Sequence, residues 1–150
     1  MDRAPKPAVR STTLTVTGSA GQKTELTAEQ IQAMPHKTVE VFNEHAKTKE
    51  SYSGVPLTEI LKQLGTPTGS QVHGKVYTLG ILAEGTDHYK VLYSIGEIDS
   101  ANHNGDVIVA DQIDGKPLEN DGAFKLVSTE DKHPARWVRN LTAITVKAVE

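Results

Sequence analysis

Short stretches in which apolar and polar residues alternate recur along the whole chain and set the strongest limit on its fold. Such alternation predicts β-strands, because successive side chains of a strand point to opposite faces of a sheet. The predicted strands cover residues 12–17, 37–43, 75–82, 88–93, 106–110, 124–127 and 141–146. Asp114-Gly115 predicts a tight turn between Ile113 and Lys116. Many short strands and few helices indicate an α+β domain that is mainly β.

Helical signals occur at two places, with a single turn at a third. Residues 27–30 form a capping box, and Pro35 ends the short helix that follows. Apolar residues between 57 and 64 recur at helical spacing, and Gly65 suits the C-terminal cap of that helix. Residues 94–97 form a second capping box that predicts one turn. The sequence therefore predicts two or three short helices.

Length and composition predict one domain and exclude several partner classes. A chain of 150 residues is the size of a single domain. Residues 1–11 contain two prolines and no apolar pattern, so we predict a flexible N-terminal arm followed by a domain over residues 12–150. A net charge of -3 does not favour nucleic acid as a partner. No segment approaches the ~20 apolar residues that a membrane helix needs, so we expect no membrane insertion.

The sequence contains no cysteine, which excludes disulfides, thiolate metal sites and a cysteine nucleophile. The six histidines include no pair four residues apart, so they do not form a recognisable zinc motif. Serines and histidines are scattered, with no Gly-x-Ser-x-Gly motif and no phosphate-binding glycine loop. We therefore predict no metal site and no hydrolase site.

An ordered set of motifs, spanning about residues 12–147, carries a family resemblance. Each motif is weak alone, but their order is specific. They are residues 14–18, 26–35, 52–57, 87–91, 97–99, 109–111, 114–118 and 131–139, the last ending in Pro-Ala-Arg-Trp-Val-Arg. The set resembles the molybdopterin-binding domain of the sulfite oxidase superfamily, and is most similar to its short stand-alone bacterial proteins. The resemblance implies the sulfite oxidase-type fold: one compact domain of mixed β-sheets.

The chain departs from this family where the metal would be held. In catalytic members a cysteine thiolate ligates molybdenum just after the strand that corresponds to residues 38–41. Phe42 or a close neighbour stands at that position here, and Asn43, Glu44 and His45 are harder donors than a thiolate. Although molybdopterin is the family cofactor, we therefore expect none to be bound. Whether the chain is an enzyme stays open on sequence grounds.

The resemblance brings several segments to one cleft and so suggests a ligand site. We predict that His45, His88, Tyr89 and Arg136 bind the ligand. The predicted supporting residues are Asn43, Asp87, Lys132 and Arg139. The alternatives are a polar loop around His45, a turn at Asp87, a core role for Tyr89, and arginines that pair with Asp111, Asp131 or Glu130. Trp137 is predicted to anchor the core.

Two functions follow from these observations. The first is a non-redox binding module that keeps the molybdopterin-binding fold and binds a small anion or a partner protein. The alternative is a molybdopterin-dependent oxidoreductase, or a subunit of one, that binds the cofactor without a thiolate ligand. Because the stand-alone relatives usually carry export signals, and the polar arm is typical of what remains after cleavage, we expect a periplasmic or otherwise extracytoplasmic protein.

Overall fold

The computed structural model describes residues 9–44 and 46–149, which form a mainly β domain with two short helices. The strands of this part of the chain are β1 (Thr13–Thr17), β2 (Lys23–Thr27), β3 (Lys37–Asn43), β4 (Thr48–Pro56), β5 (Leu79–Gly85), β6 (Lys90–Ser94), β7 (Val107–Ile113), β8 (Lys116–Pro117), β9 (Lys125–Ser128) and β10 (Leu141–Ala148). The helices are α1 (Ala28–Gln32) and α2 (Leu57–Lys62). The predicted α+β class is confirmed. No helix within residues 9–44 and 46–149 is long and apolar enough to cross a membrane.

The strands form two sheets. The first sheet has the order β2-β1-β10-β5-β6, in which β1 and β10 are parallel and the other pairs antiparallel. The second sheet has the order β3-β4-β7-β8, and β9 pairs with the first half of β7. The first sheet is therefore mixed, as the family resemblance implies.

The second sheet is covered on both faces, and this arrangement positions the site. Val55 and Val109 point to the main core, which the first sheet and both helices share. Tyr52 and Ile108, on the opposite face, belong to a smaller core that also contains Val39, Ala110, Leu118 and Val127. Trp137 packs against this smaller core from the segment that follows β9. The smaller core is thus the floor for any cleft on this side.

A glycine in β4 is required for the contact between β4 and β7. A Cβ atom on Gly54 would lie 2.2 Å from the carbonyl oxygen of Val109 and 2.5 Å from Cα of Ala110. The register of the pair shifts between Ser53 and Gly54, so the strand bends at this point. Tyr52 and Val55 are three residues apart on β4, so alternation along the strand places Tyr52 in the smaller core and Val55 in the main core.

The capping box and the turn predicted from the sequence are both present. The Thr27 hydroxyl accepts from the Gln30 amide, and the Gln30 side chain accepts from the Thr27 amide, at the start of α1. Asp114 and Gly115 connect β7 and β8 with positive φ angles of 50° and 78°. The Glu97 carboxylate accepts from the Ser94 amide, as the second capping box predicts.

The sequence missed three strands, of which β8 is only two residues long, and misplaced the start of a fourth. Neither β2 nor β4 was predicted, and the stretch from residue 75 begins as a 3-10 turn over Gly74–Thr78 before β5 starts at Leu79. β2 is an exposed edge strand, so its residues lack the alternation in polarity that predicts strands.

Part of the predicted N-terminal arm lies outside the described residues, which begin at Val9. Arg10 donates to the backbone carbonyls of Leu118 and Glu119. Ser11 is buried, and its hydroxyl accepts from the Ala123 amide. The boundary at residue 12 stays a prediction.

Candidate functional site

A polar cleft lies over the smaller core and is the main candidate site. Its volume is about 530 Å³, within the range of small-molecule pockets. It is lined by Asn43, Glu50, Tyr52, Ile113, Asp121, Lys125, Pro134, Trp137 and Arg139. We call this cavity the Trp137 cleft. It adjoins the C-terminal end of β3, where the resemblance places the metal ligand of catalytic relatives.

A chain of hydrogen bonds crosses one wall of the Trp137 cleft. Asn43 Nδ2 and the Tyr52 hydroxyl both donate to Glu50 Oε1, at 3.1 and 2.9 Å. Lys125 Nζ donates to the Tyr52 hydroxyl oxygen and to Asp121 Oδ2, each at 2.9 Å. Burial and the Glu50 carboxylate raise the pKa of Tyr52, so this phenol stays protonated and continues to donate.

Two aromatic rings hold the buried lysine of this chain in place. The rings of Tyr52 and Trp137 meet edge to face with centroids 5.6 Å apart. Lys125 Nζ lies 4.9 Å from the first centroid and 5.3 Å from the second. Trp137 Nε1 donates to the Ser128 carbonyl, which fixes the indole over the smaller core. The predicted core anchor is therefore half-buried and forms part of the cleft wall.

Arg139 is a lining cation that has no counterion among the residues that the structure describes. Its side chain is exposed and makes no hydrogen bond or ion pair with any residue in 9–44 or 46–149. It also lines two neighbouring cavities, of about 250 and 510 Å³. The three cavities therefore share one available guanidinium, a group suited to binding carboxylate or phosphate.

Arg136 has the opposite surroundings, although it lies three residues away. Its guanidinium bridges Asp131, at 2.7 and 3.0 Å, and Glu97, at 2.8 and 3.2 Å. It also donates to the Leu92 carbonyl, and it lies 4.2 Å from the centroid of the Tyr93 ring. Arg136 thus pairs with internal carboxylates, Asp131 among them, as the alternative interpretation of the sequence held.

These contacts change the titration of the groups around Arg136. Hydrogen bonds from Arg136 lower the pKa of Asp131, and the bonds that Arg136 donates to Asp131 and Glu97 raise its own pKa. Burial by itself raises the pKa of Glu97, but the bonds from Arg136 outweigh burial and the net shift is downward. Burial raises the pKa of Tyr93 to about 12. All the charges of this cluster are therefore retained at neutral pH.

The loop before β6 brings only some of the predicted residues together. Asp87 and Tyr89 line the 250 Å³ cavity with Arg139, and the Tyr89 hydroxyl donates to the Ala135 carbonyl. His88 points away: its side chain is 84% exposed and its Nδ1 lies 2.9 Å from Glu84 Oε2. His88 and Arg136 line none of the three cavities that share Arg139.

The remaining predicted residues lie at the margins. His45 lies outside the described residues. Lys132 is exposed and lines none of the three cavities. Asn43 lies at the cleft wall, and its Oδ1 also accepts from the Ala46 amide. Within residues 9–44 and 46–149 no group of three histidine, aspartate or glutamate side chains is placed to hold a metal ion.

The sequence did not predict Glu50, Asp121 and Lys125 as site residues. The sequence pattern nevertheless contains an indication for Lys125 and for Glu50. Lys125 interrupts the apolar stretch Phe124–Val127, and a lysine in a buried strand is rarely there without a partner. Glu50 stands two residues before Tyr52, so both side chains lie on the same face of β4. The position of Asp121 in a loop gave no comparable signal.

Two β-sheets with a polar cleft over the second define a mainly β domain of the sulfite oxidase-like architecture. The model of the oxidoreductase molybdopterin binding domain family matches residues 3–150, and the chain belongs to this family. The sulfane dehydrogenase SoxCD of Paracoccus pantotrophus is similar in structure, with a TM-score of 0.69 over 93% of this chain. At 20% identity this similarity shows the fold alone. The match covers 39% of the SoxCD chain, and no curated protein sequence matches.

The described residues of the Trp137 cleft do not fit the metal of the family cofactor. Molybdenum in these domains is held by a thiolate, and the end of β3 instead presents Asn43, which is hydrogen-bonded to Glu50. Phe42, the neighbouring residue, is 58% exposed on the opposite face of the strand and has no donor atom.

Proposed function

We propose that this chain is a non-redox binding domain that keeps the family fold and uses the Trp137 cleft for a small molecule with an anionic group. The anionic group binds Arg139, and the rest of the ligand contacts Trp137. The observation that carries this proposal is the Arg139 guanidinium, which lines three cavities and has no partner among the described residues. The proposal keeps the predicted anion but moves its anchor from Arg136 to Arg139.

The other charges of the cleft support this choice. Lys125 is neutralised by Asp121 at 2.9 Å, so it does not compete strongly for an external anion. A charge-assisted hydrogen bond contributes roughly 1.5–3 kcal/mol, from which the costs of association must be subtracted. One guanidinium at an open cleft therefore gives weak binding that added salt reduces.

Calorimetric titration with phosphate, sulfate and butyrate tests this proposal. We expect saturable binding by wild type and a loss of at least about tenfold in affinity for Arg139→Gln. Lys132→Gln is the matched control, because it removes the same charge from an exposed site that does not line the cleft. If neither anion class binds wild type, or if both variants lose affinity equally, Arg139 is not the anchor.

Family membership favours a second function, a molybdopterin-dependent oxidoreductase or a subunit of one. Elemental analysis of protein purified from its native host separates the two functions. The binding-domain proposal predicts no stoichiometric molybdenum or tungsten. A molybdenum-to-protein ratio near one that survives gel filtration would establish the second function instead. The expected periplasmic location and a partner protein stay predictions.

A further inference from the structure

Among the described residues that line the Trp137 cleft, one charge of each sign has no counterion in the described part of the chain. Glu50 Oε1 accepts from Asn43 and Tyr52, both of which are neutral donors. Glu50 Oε2 accepts no hydrogen bond from any residue in 9–44 or 46–149, and no cation of this part of the chain forms an ion pair with Glu50. Arg139 is the corresponding cation, with no anionic partner in residues 9–44 and 46–149.

The two charges do not neutralise each other or the rest of the cleft. Glu50 and Arg139 line the same cavity but are not within the 4.0 Å of an ion pair. Lys125 and Asp121 already form a pair at 2.9 Å, and the Tyr52 hydroxyl stands between Lys125 and Glu50. A half-enclosed charge without a counterion is unfavourable, so a ligand that supplies both counterions is selected over one that supplies a single counterion.

Resting on the proposed function, we infer that the ligand of the Trp137 cleft is a zwitterion of the amino-carboxylate class. Its carboxylate binds Arg139, its ammonium group donates to Glu50 Oε2, and the chain between them lies along Trp137 and Ile113. A simple anion leaves Glu50 uncompensated, and a simple amine leaves Arg139 uncompensated. The cleft thus distinguishes ligands by the presence of two opposite charges.

Calorimetric titration of wild type with matched ligands tests the inference directly. The zwitterions are glycine, β-alanine and γ-aminobutyrate, and the single-charge controls are butyrate and butylamine. We expect at least one zwitterion to bind about tenfold or more tightly than butyrate, since one further charge-assisted hydrogen bond forms. If butyrate binds as tightly as every zwitterion, the inference fails while the proposed function stands. If phosphate or sulfate binds but no carboxylate does, the inference fails alone, and if none of these anions binds, both fail.

Two glutamate variants identify the residue responsible. Glu50→Gln should lower the affinity for the best zwitterion to that for butyrate and leave butyrate binding unchanged. Glu40→Gln, an exposed change of the same charge on the neighbouring strand β3, should alter neither. If Glu50→Gln folds and keeps the preference for zwitterions, Glu50 does not bind the ammonium group and the inference is wrong. Because the wild-type comparison needs no variant, an unfolded Glu50→Gln does not prevent the test.

Discussion

Arg136 and Arg139 stand three residues apart in one segment, and the fold gives them opposite surroundings. Arg136 makes four hydrogen bonds to Glu97 and Asp131, and its guanidinium lies on the Tyr93 ring. Arg139 has no side-chain partner among the described residues and lines three cavities. Through these contacts Arg136 connects β6, the turn after β6 and the segment after β9. Arg139 is available to a ligand.

The comparison shows that the charge of a side chain does not by itself indicate a binding role. What distinguishes the two arginines is whether the fold supplies a counterion. Asp131 lies five residues before Arg136 and was among its possible partners on sequence grounds, whereas Glu97 comes from the turn after β6 and could not be assigned to it from local sequence. A cation that the fold leaves without a counterion at a cavity is the better candidate for ligand binding.

The largest expected effect is on stability. Arg136→Gln should lower the free energy of unfolding by about 2–3 kcal/mol, because it leaves two half-buried carboxylates close together without their cation. Arg139→Gln should change it by less than about 0.5 kcal/mol. Urea unfolding of the two variants beside wild type measures both values. Equal losses would contradict the distinction between the arginines.

The pH dependence of stability is a second, smaller effect that should distinguish Arg136 from Arg139. The pKa values of Glu97 and Asp131 are lowered in the fold, from ordinary values of 4.5 and 3.8. A lowered carboxylate pKa stabilises the fold above the unfolded value, and this contribution is lost as the pH falls through the folded value. Wild type should therefore lose stability as the pH falls below about 5.

In Arg136→Gln, acidification should no longer lower the stability of the fold. Without the guanidinium, Glu97 and Asp131 repel each other, so protonation of one of them relieves the repulsion. Melting temperatures measured between about pH 7 and 4 should then stay level or rise on acidification. Arg139→Gln should follow wild type, which makes it the control. A parallel decline in all three proteins would show that other carboxylates dominate the acid response.

The sequence predicted the parts of the fold that local rules determine. The capping box at Thr27 and the turn at Asp114 depend on residues close in sequence, and both are present. β4 was not predicted, because its first half carries polar residues that stay exposed or half-buried, and only its second half, which pairs with both β3 and β7, is buried. Burial on two sides is a property of the assembled sheet, and no local pattern shows it.

The site was harder to predict than the fold. The cleft depends on Lys125 meeting Tyr52 across the second sheet and on Trp137 closing over both, contacts between residues far apart in sequence. The family resemblance directed attention to residues 87–89 and 131–139, and Arg139, Asp87 and Tyr89 do line cavities there. It could not tell which arginine would find a counterion, since that depends on Glu97 and Asp131.

The smallest expected effect on stability is at His88, because its backbone conformation favours glycine while its side chain makes an exposed contact with Glu84. It has a φ of 68°, a left-handed conformation that costs most residues other than glycine about 1 kcal/mol. Its side chain is 84% exposed and contacts Glu84, and an exposed pair of this kind contributes little. His88→Gly should therefore stabilise the domain by about 0.5 kcal/mol, once the greater freedom of glycine in the unfolded chain is subtracted.

Anion binding by His88→Gly tests whether His88 contacts the ligand, as the sequence predicted, or whether Arg139 binds it without His88. Since the imidazole lines none of the cavities that share Arg139, His88→Gly should bind anions with wild-type affinity while gaining stability. His88→Ala is the matched control: it also removes the imidazole but keeps the unfavourable φ, so it should be less stable than His88→Gly by about 0.5 kcal/mol. If both variants lose anion affinity, the imidazole contacts the ligand and the predicted site must extend to His88.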